Sequence, residues 1–171
     1  MATNIKRIAL IGPESSGKTT LAKELASHFN TVWNPEFARD YIAAINRPYT
    51  YEDILLCISR QQEAEMELTK KANTYLFADT ELILHKIWME DVFKKSPKLI
   101  DERIIETKYD FYLLTSPDLP FIPDSVRENP HRRDYFLNLY KNALEKFGFK
   151  YVLISGEGRL ENAIEYIRGN M

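Results

Sequence analysis

Gly12, Gly17, Lys18 and Thr19, in the stretch GPESSGKTT, have the spacing G-x-x-x-x-G-K-[ST]. That pattern handles phosphate. The two glycines let the chain wrap until backbone N–H groups converge on phosphate oxygens, helped by the N-terminus of the helix that follows. The lysine brings a point charge to the β- and γ-phosphates, and the threonine hydroxyl ligates Mg²⁺. Glu14, Ser15, Ser16 and Thr20 complete the loop and are expected around the same phosphates.

Further groups of the right type recur along the chain. Asp79 ends the apolar run TYLFAD, where a phosphate-loop protein keeps the acid that holds Mg²⁺. Asp79 or Thr80 would also serve as a helix cap, and Glu81 would favour the same helix N-terminus. In NPEFARD, a Glu36 carboxylate beside the γ-phosphate would orient or deprotonate an attacking hydroxyl, while Arg39 would neutralise transferring phosphate. Their i,i+3 spacing equally fits a surface ion pair. SVRENPHRRDYF gathers Arg127, Arg132 and Arg133 after a Pro-rich stretch, which suits either a lid over phosphates or a solvated basic helix start. Phe121, in that Pro-rich stretch, is placed to stack on a flat ring. Trp33 and Phe37 fit stacking or core-edge packing, whereas Trp88, Tyr135, Leu139 and Tyr140 have the spacing of helix packing. His28, His85 and His131 have no partners that mark catalysis.

The elements that must position these groups alternate. Strands are expected at 5–11, 31–34, 74–79, 110–115 and 150–155. Helices are expected at about 17–29, 36–45, 51–72, 81–93, 98–108, 132–147 and 159–168, with Ile54, Leu55, Ile58 and Met66 as the buried face of the long one. Such alternation predicts an α/β fold with a parallel sheet covered on both faces. Ligands then bind at the carboxyl edge of the strands, where all the motifs above fall. Ser116–Pro130 is the only long break and reads as a functional loop.

Bulk composition narrows the class. The chain has 171 residues, 44% hydrophobic and 28% charged, with a net charge of −2. That length predicts one domain, 1–171. The charge gives no reason to expect nucleic acid or an anionic membrane as partner. No apolar run is long enough to span a bilayer, and the N-terminus lacks a secretory pattern. The single cysteine, Cys57, cannot form an internal disulfide, so the cytoplasm is the expected compartment. A guanine-reading Asn-Lys-x-Asp sequence is missing after the late strands, which disfavours a GTPase switch. An acceptor site in PEFARD and a charged lid in SVRENPHRRD favour a small-molecule kinase over a regulatory ATPase.

Taken in order, GPESSGKTTLA, PEFARDY, FADTE, DFYLLTSPDLPFIPDSVRENP and SGEGRLENAI resemble the ribosylnicotinamide kinase domain of the bacterial NAD-biosynthesis regulator family, over nearly the whole chain. The resemblance implies an AAA-like P-loop NTPase fold of the nucleoside/nucleotide kinase type, with a five-stranded parallel core. It implies transfer of the γ-phosphoryl group of ATP, with Mg²⁺, to the 5′-hydroxyl of nicotinamide riboside; a kinase for another nucleoside is the alternative. Lys18 and Thr19 would serve the phosphates and metal, with Asp79 at the metal side, and either Glu36 or Asp79 would accept or orient the hydroxyl proton. Glu36, Arg39, Asp79, Phe121 and Asp124 would lie at the acceptor, Arg127 and Arg133 in a mobile lid around 116–133, and Gly156 and Arg159 beside the adenine. The chain departs from the family at Phe121 (often Trp), Glu81 (often Asp) and Glu157-Gly158 (commonly an acidic-aromatic pair). The family commonly joins this domain to a DNA-binding module and an adenylyltransferase, and 171 residues are expected to hold the kinase alone.

Overall fold

The computed structural model describes residues 4–170. The first three positions and the last of the expected 1–171 domain lie outside the described residues. Apolar runs and helical patterns alternate as β1 (Lys6–Ile11), α1 (Lys18–His28), β2 (Val32–Asn34), α2 (Phe37–Ala44), α3 (Tyr51–Thr69) and β3 (Tyr75–Asp79). There follow α4 (Leu82–Phe93), α5 (Ile100–Glu106), β4 (Phe111–Thr115), α6 (Arg133–Phe147), β5 (Tyr151–Ile154) and α7 (Arg159–Gly169). The five strands form one parallel sheet in the order β2-β3-β1-β4-β5. β1 is central: the chain runs from it to β2 at one edge, returns inward as β3, and then crosses to β4 and β5 on the other side. The carboxyl end of β1 is therefore the topological switch point, where the flanking connections leave on opposite sides and open a crevice.

Strand alternation divides the core. Ala9, Ile11, Tyr112 and Leu114 face α3–α6 and pack on Ile54, Ile83, Ile104 and Leu144. Ile8, Leu10, Phe77 and Leu113 point to the other side, against Leu21 and Leu25 of α1 and Ala163 and Ile167 of α7. The period of two along each strand produces these two apolar layers.

One helix face differs from expectation. Leu55 and Met66 of α3 are exposed, Met66 by 69%. The buried stripe runs instead through Asp53, Ile54, Cys57, Ile58, Gln61 and Glu65. Three of those six are polar, and a hydropathy pattern assigns them to solvent. Asp53 is buried because it completes a capping box with Thr50 and accepts from Arg47 and Tyr41. Gln61 and Glu65 are likewise buried with partners, described below.

Candidate active site

A cleft of about 410 Å³ opens over the carboxyl end of β1, within the size range of small-ligand sites. Its floor is the loop from Gly12 to Thr19. A Cβ at Gly12 would lie 2.2 Å from Thr115 Oγ1, so β4 leaves room only for glycine. Gly17 has φ +81°, which a side chain would strain. Ser16 Oγ donates to Pro13 O (2.7 Å) and shares a hydrogen bond with Thr115 Oγ1 (2.6 Å), tying the loop to β4. Lys18 Nζ donates to the carbonyls of Gly12 (2.8 Å) and Pro13 (3.0 Å), which holds the ammonium across the loop.

Asp79 ends β3 beside this floor. Its Oδ2 accepts from the Thr19 hydroxyl (2.5 Å), while Oδ1 is buried without a hydrogen-bond partner. A threonine hydroxyl, a carboxylate and an orphaned carboxylate oxygen make a donor set that fits a hard divalent cation such as Mg²⁺. Burial raises the Asp79 carboxyl, against the pull of Lys18 and the Thr19 hydroxyl. Glu36, the residue before α2, lines the same cleft. Burial and then the nearby Asp79 charge push its carboxyl up to about 7, opposed by Lys18 and Arg39. Two carboxyls in one desolvated site disfavour double ionisation, which leaves Glu36 poised between acid and base.

Neither Asp79 nor Thr80 caps α4. Glu81 does, its Oε1 accepting from the N–H groups of Ile83 (2.9 Å) and Leu84 (3.4 Å). Thr80 instead makes the turn, with φ +85° and a buried hydroxyl that has no partner.

The segment after β4 closes the cleft from above. Glu14 of the loop accepts from the backbone N–H of Glu128 (3.1 Å) and Asn129 (2.9 Å), and Ser15 Oγ accepts from Ile122 N (3.0 Å). Arg133 donates to Leu119 O (2.8 Å) and lies over the Phe121 ring at 5.8 Å. Arg39 pairs with Asp124, not with Glu36. Asp124 also accepts from the N–H groups of Val126 and Arg127, both 2.9 Å, so it organises the segment. Arg132 forms a two-armed pair with Asp91 (2.6 and 2.9 Å).

Gly12, Glu14, Ser15, Ser16, Gly17, Lys18, Thr19, Thr20, Glu36, Arg39, Arg127 and Arg133 all line the cleft, as expected from sequence. Phe121, Asp124, Gly156 and Arg159 do not line it, and neither does Asp79, which is fully buried just behind the loop and reaches it through the Thr19 hydroxyl. Phe121 packs under Arg133. Arg159 donates to Ser16 O (2.8 Å) and Ser116 O (3.0 Å) and pairs with Asp118, whose other oxygen accepts from Gly156 N (2.5 Å). These groups brace the phosphate loop from behind.

Three contributors escaped sequence reasoning. Tyr49 and Trp88 form an aromatic wall, with ring centroids 5.1 Å apart at 68°. Trp88 Nε1 donates to Tyr49 Oη (3.1 Å), which donates to Glu128 (2.9 Å). The spacing of Trp88 implied packing, and Tyr49 stood in a loop with no motif around it. The third is Gln61. Its Nε2 donates to Asp79 O (3.3 Å), and its Oε1 accepts from Phe37 N (2.8 Å), next to Glu36. Its own carbonyl accepts from Asn34 Nδ2 (3.1 Å). One buried amide thus ties together the strand ends that carry both carboxyls. Trp33 packs against the α1 side of the core, and Phe37 stacks on Tyr41 at 5.8 Å, so neither lines the cleft.

A central-strand phosphate loop, a strand-end aspartate and a covering segment on a five-stranded parallel sheet define a P-loop nucleotide-binding protein with the nucleoside/nucleotide kinase-like fold. The chain belongs to the AAA domain family, whose model matches residues 7–162. It is 26% identical over 178 residues to the trifunctional NAD biosynthesis/regulator protein NadR of Escherichia coli, covering 98% of this chain and 43% of that protein. The Salmonella typhimurium protein of the same name is 25% identical over 177 residues, with the same coverage. The chain thus spans less than half the length of these relatives. Among solved structures it resembles NadR in complex with NR, with a TM-score of 0.85 and 26% identity over 97% of this chain and 51% of that one. Thymidylate kinase from Ehrlichia chaffeensis shares the fold, with a TM-score of 0.65 and 14% identity over 95% of this chain and 98% of that one. Among the described residues no helix is long and apolar enough to cross a membrane.

Proposed function

We propose that this chain, read as one kinase domain over 1–171, transfers the γ-phosphoryl group of ATP to the 5′-hydroxyl of nicotinamide riboside, giving nicotinamide mononucleotide and ADP in the cytoplasm. The observation that carries this reading is a single cleft joining a phosphate loop, a carboxyl held near 7 and an aromatic wall. The similarity to NAD-biosynthesis proteins, one solved with NR, supports the acceptor. In this reading Gly12–Thr20 cradle the triphosphate and Lys18 neutralises charge on the transferring group. Thr19 and Asp79 would hold Mg²⁺, which supplies further charge neutralisation when bound.

The acceptor ring lies against Tyr49 and Trp88, which places its 5′-hydroxyl towards Glu36. The new bond joins the 5′-oxygen to the γ-phosphorus, the bond from that phosphorus to the β,γ-bridging oxygen breaks, and the hydroxyl proton passes to Glu36. Arg39, Arg127 and Arg133 offset the charge of the phosphates, and Asp124 sets the first two. The segment 116–133 works as a lid, which excludes water from the transfer.

The test is ADP release with ATP and Mg²⁺ across nicotinamide riboside, uridine, cytidine, thymidine and no acceptor, with each product identified by mass. Selective turnover of nicotinamide riboside is expected. Turnover of a different nucleoside would move the acceptor assignment, and acceptor-independent hydrolysis would overturn the kinase reading.

A further inference from the structure

A second cavity, of about 540 Å³, opens between α3, the start of α4 and α5. It shares no lining residue with the nucleotide cleft. Its walls are largely apolar, with Ile58, Leu82, Met66 and the Tyr109 ring among them. The polar groups inside fall into two sets.

The first set is closed. Arg7 donates to Glu65 Oε1 through Nε (2.8 Å) and Nη2 (2.5 Å), and the Tyr109 hydroxyl donates to Oε2 (2.6 Å). Arg7 also lies over the Tyr109 ring at 4.3 Å. This pair is neutral and its oxygens are satisfied.

The second set is open. Glu81 and His85, 4% and 2% exposed, both line the cavity. Glu81 receives only the backbone N–H groups of its helix, and among the described residues no cationic side chain pairs with it. His85 Nδ1 lies 3.0 Å from Glu81 O. A carbonyl only accepts, so Nδ1 carries the proton and Nε2 presents a lone pair. Burial holds this imidazole down at about 4, hence neutral. These two buried groups therefore present acceptors to the cavity. At its mouth, Lys70 is engaged by Glu67 (2.6 Å) and Arg103 by Gln62 (2.5 Å).

We propose that this cavity is a second ligand site, for a small organic cation in which an amidinium or ammonium head is carried on a flat apolar body. The head brings N–H donors to Glu81 and His85, and its charge offsets a buried carboxyl that has no cationic partner. The body lies on the apolar walls, which covers most of the lining at little polar cost. An anion would meet the buried Glu81 carboxyl, which has no cationic partner among the described residues, and is disfavoured. Gln61 also lines this cavity while bonding to Asp79 O, so the occupant sits one side chain from the β3 strand end. The site does not depend on the kinase reading, and its test reads binding rather than turnover.

The probe is benzamidine, titrated into the full chain and followed by calorimetry and by the methyl NMR signal of Met66 at the cavity. Saturable binding that moves the Met66 methyl is expected. The uncharged isostere benzamide should bind at least tenfold more weakly. Glu81→Gln, which keeps an oxygen to cap α4, should weaken benzamidine at least tenfold, as should Gln62→Trp, which fills the mouth without touching the buried groups. Equal affinity for benzamide, an unmoved Met66 methyl, or undiminished binding by both variants would overturn the proposal.

Discussion

Lys18 sits where the cleft needs a mobile charge on a fixed stem, with its ammonium spanning the loop carbonyls of Gly12 and Pro13. A neutral replacement removes charge stabilisation that matters most as phosphate transfers. Lys18→Ala is expected to lower kcat by about 10²–10³-fold, measured by ADP release at saturating acceptor. Near-normal turnover would remove the loop from the chemistry. Glu36 makes a sharper test because burial and Asp79 hold its carboxyl near 7. A base works in its ionised form, so kcat/KM for the acceptor should climb with pH and level off above about 7. Glu36→Gln should lose that limb along with most of its turnover. A limb that survives in the variant would assign the proton to another group.

Individual elements transmit these positions. α3 places Gln61 between the end of β3 and the start of α2, so its amide sets the spacing of Asp79 and Glu36. Gln61→Leu keeps the volume but strands the Asp79 carbonyl and the Phe37 N–H. The expected cost is about 1–3 kcal/mol of stability by denaturant unfolding. The same variant should shift the pH limb assigned to Glu36, which a purely structural amide would leave in place. The covering segment poses a different question, because Arg133 reaches the carbonyl of Leu119 as well as the cleft. Arg133→Ala should lower kcat more than it raises KM for the acceptor, since closure matters most at transfer. An unchanged kcat would take this arginine out of the lid.

Across the whole molecule, the carboxyl edge of the sheet concentrates desolvated acids, and that shapes stability. Glu36 and Glu81 sit at about 7 in the folded chain against 4.5 when free. Between those values the folded state binds more protons than the unfolded one, so stability falls as pH rises from about 4.5 and the loss is complete above about 7. Asp53 acts in the opposite sense at lower pH, because Arg47 and the Thr50 N–H hold it below the usual carboxylate range. Its contribution is lost as pH falls through that low value. The thermal midpoint should therefore decline from pH 5 to pH 8, and Glu81→Gln should flatten the decline and raise the midpoint at pH 8. An unchanged slope would mean that Glu81 titrates normally.

Much of this was legible along the chain. The phosphate loop, the strand that ends at Asp79 and the alternation of strands with helices are local patterns. They follow from side-chain period, glycine freedom and the chemistry of contiguous residues. The same locality placed Glu36 and Arg39 at the carboxyl edge, since each parallel strand must deliver its following residues there. Packing across distant segments decided the rest. Arg39 had Glu36 at helical spacing but takes Asp124, 85 positions away, because the covering segment folds back over α2. Trp88 and Tyr49 have no motif between them and become a wall only when α4 comes up against the turn before α3. Gln61 and Glu65 are polar and lie outside the helix face expected to be buried, yet both are buried, because partners 18 and 58 positions away satisfy them. A sequence states what a residue can bond to along its own element. Which distant group arrives to make that bond is decided by how the layers close, and here that closure set the cleft wall, the contacts of the covering segment and the second cavity.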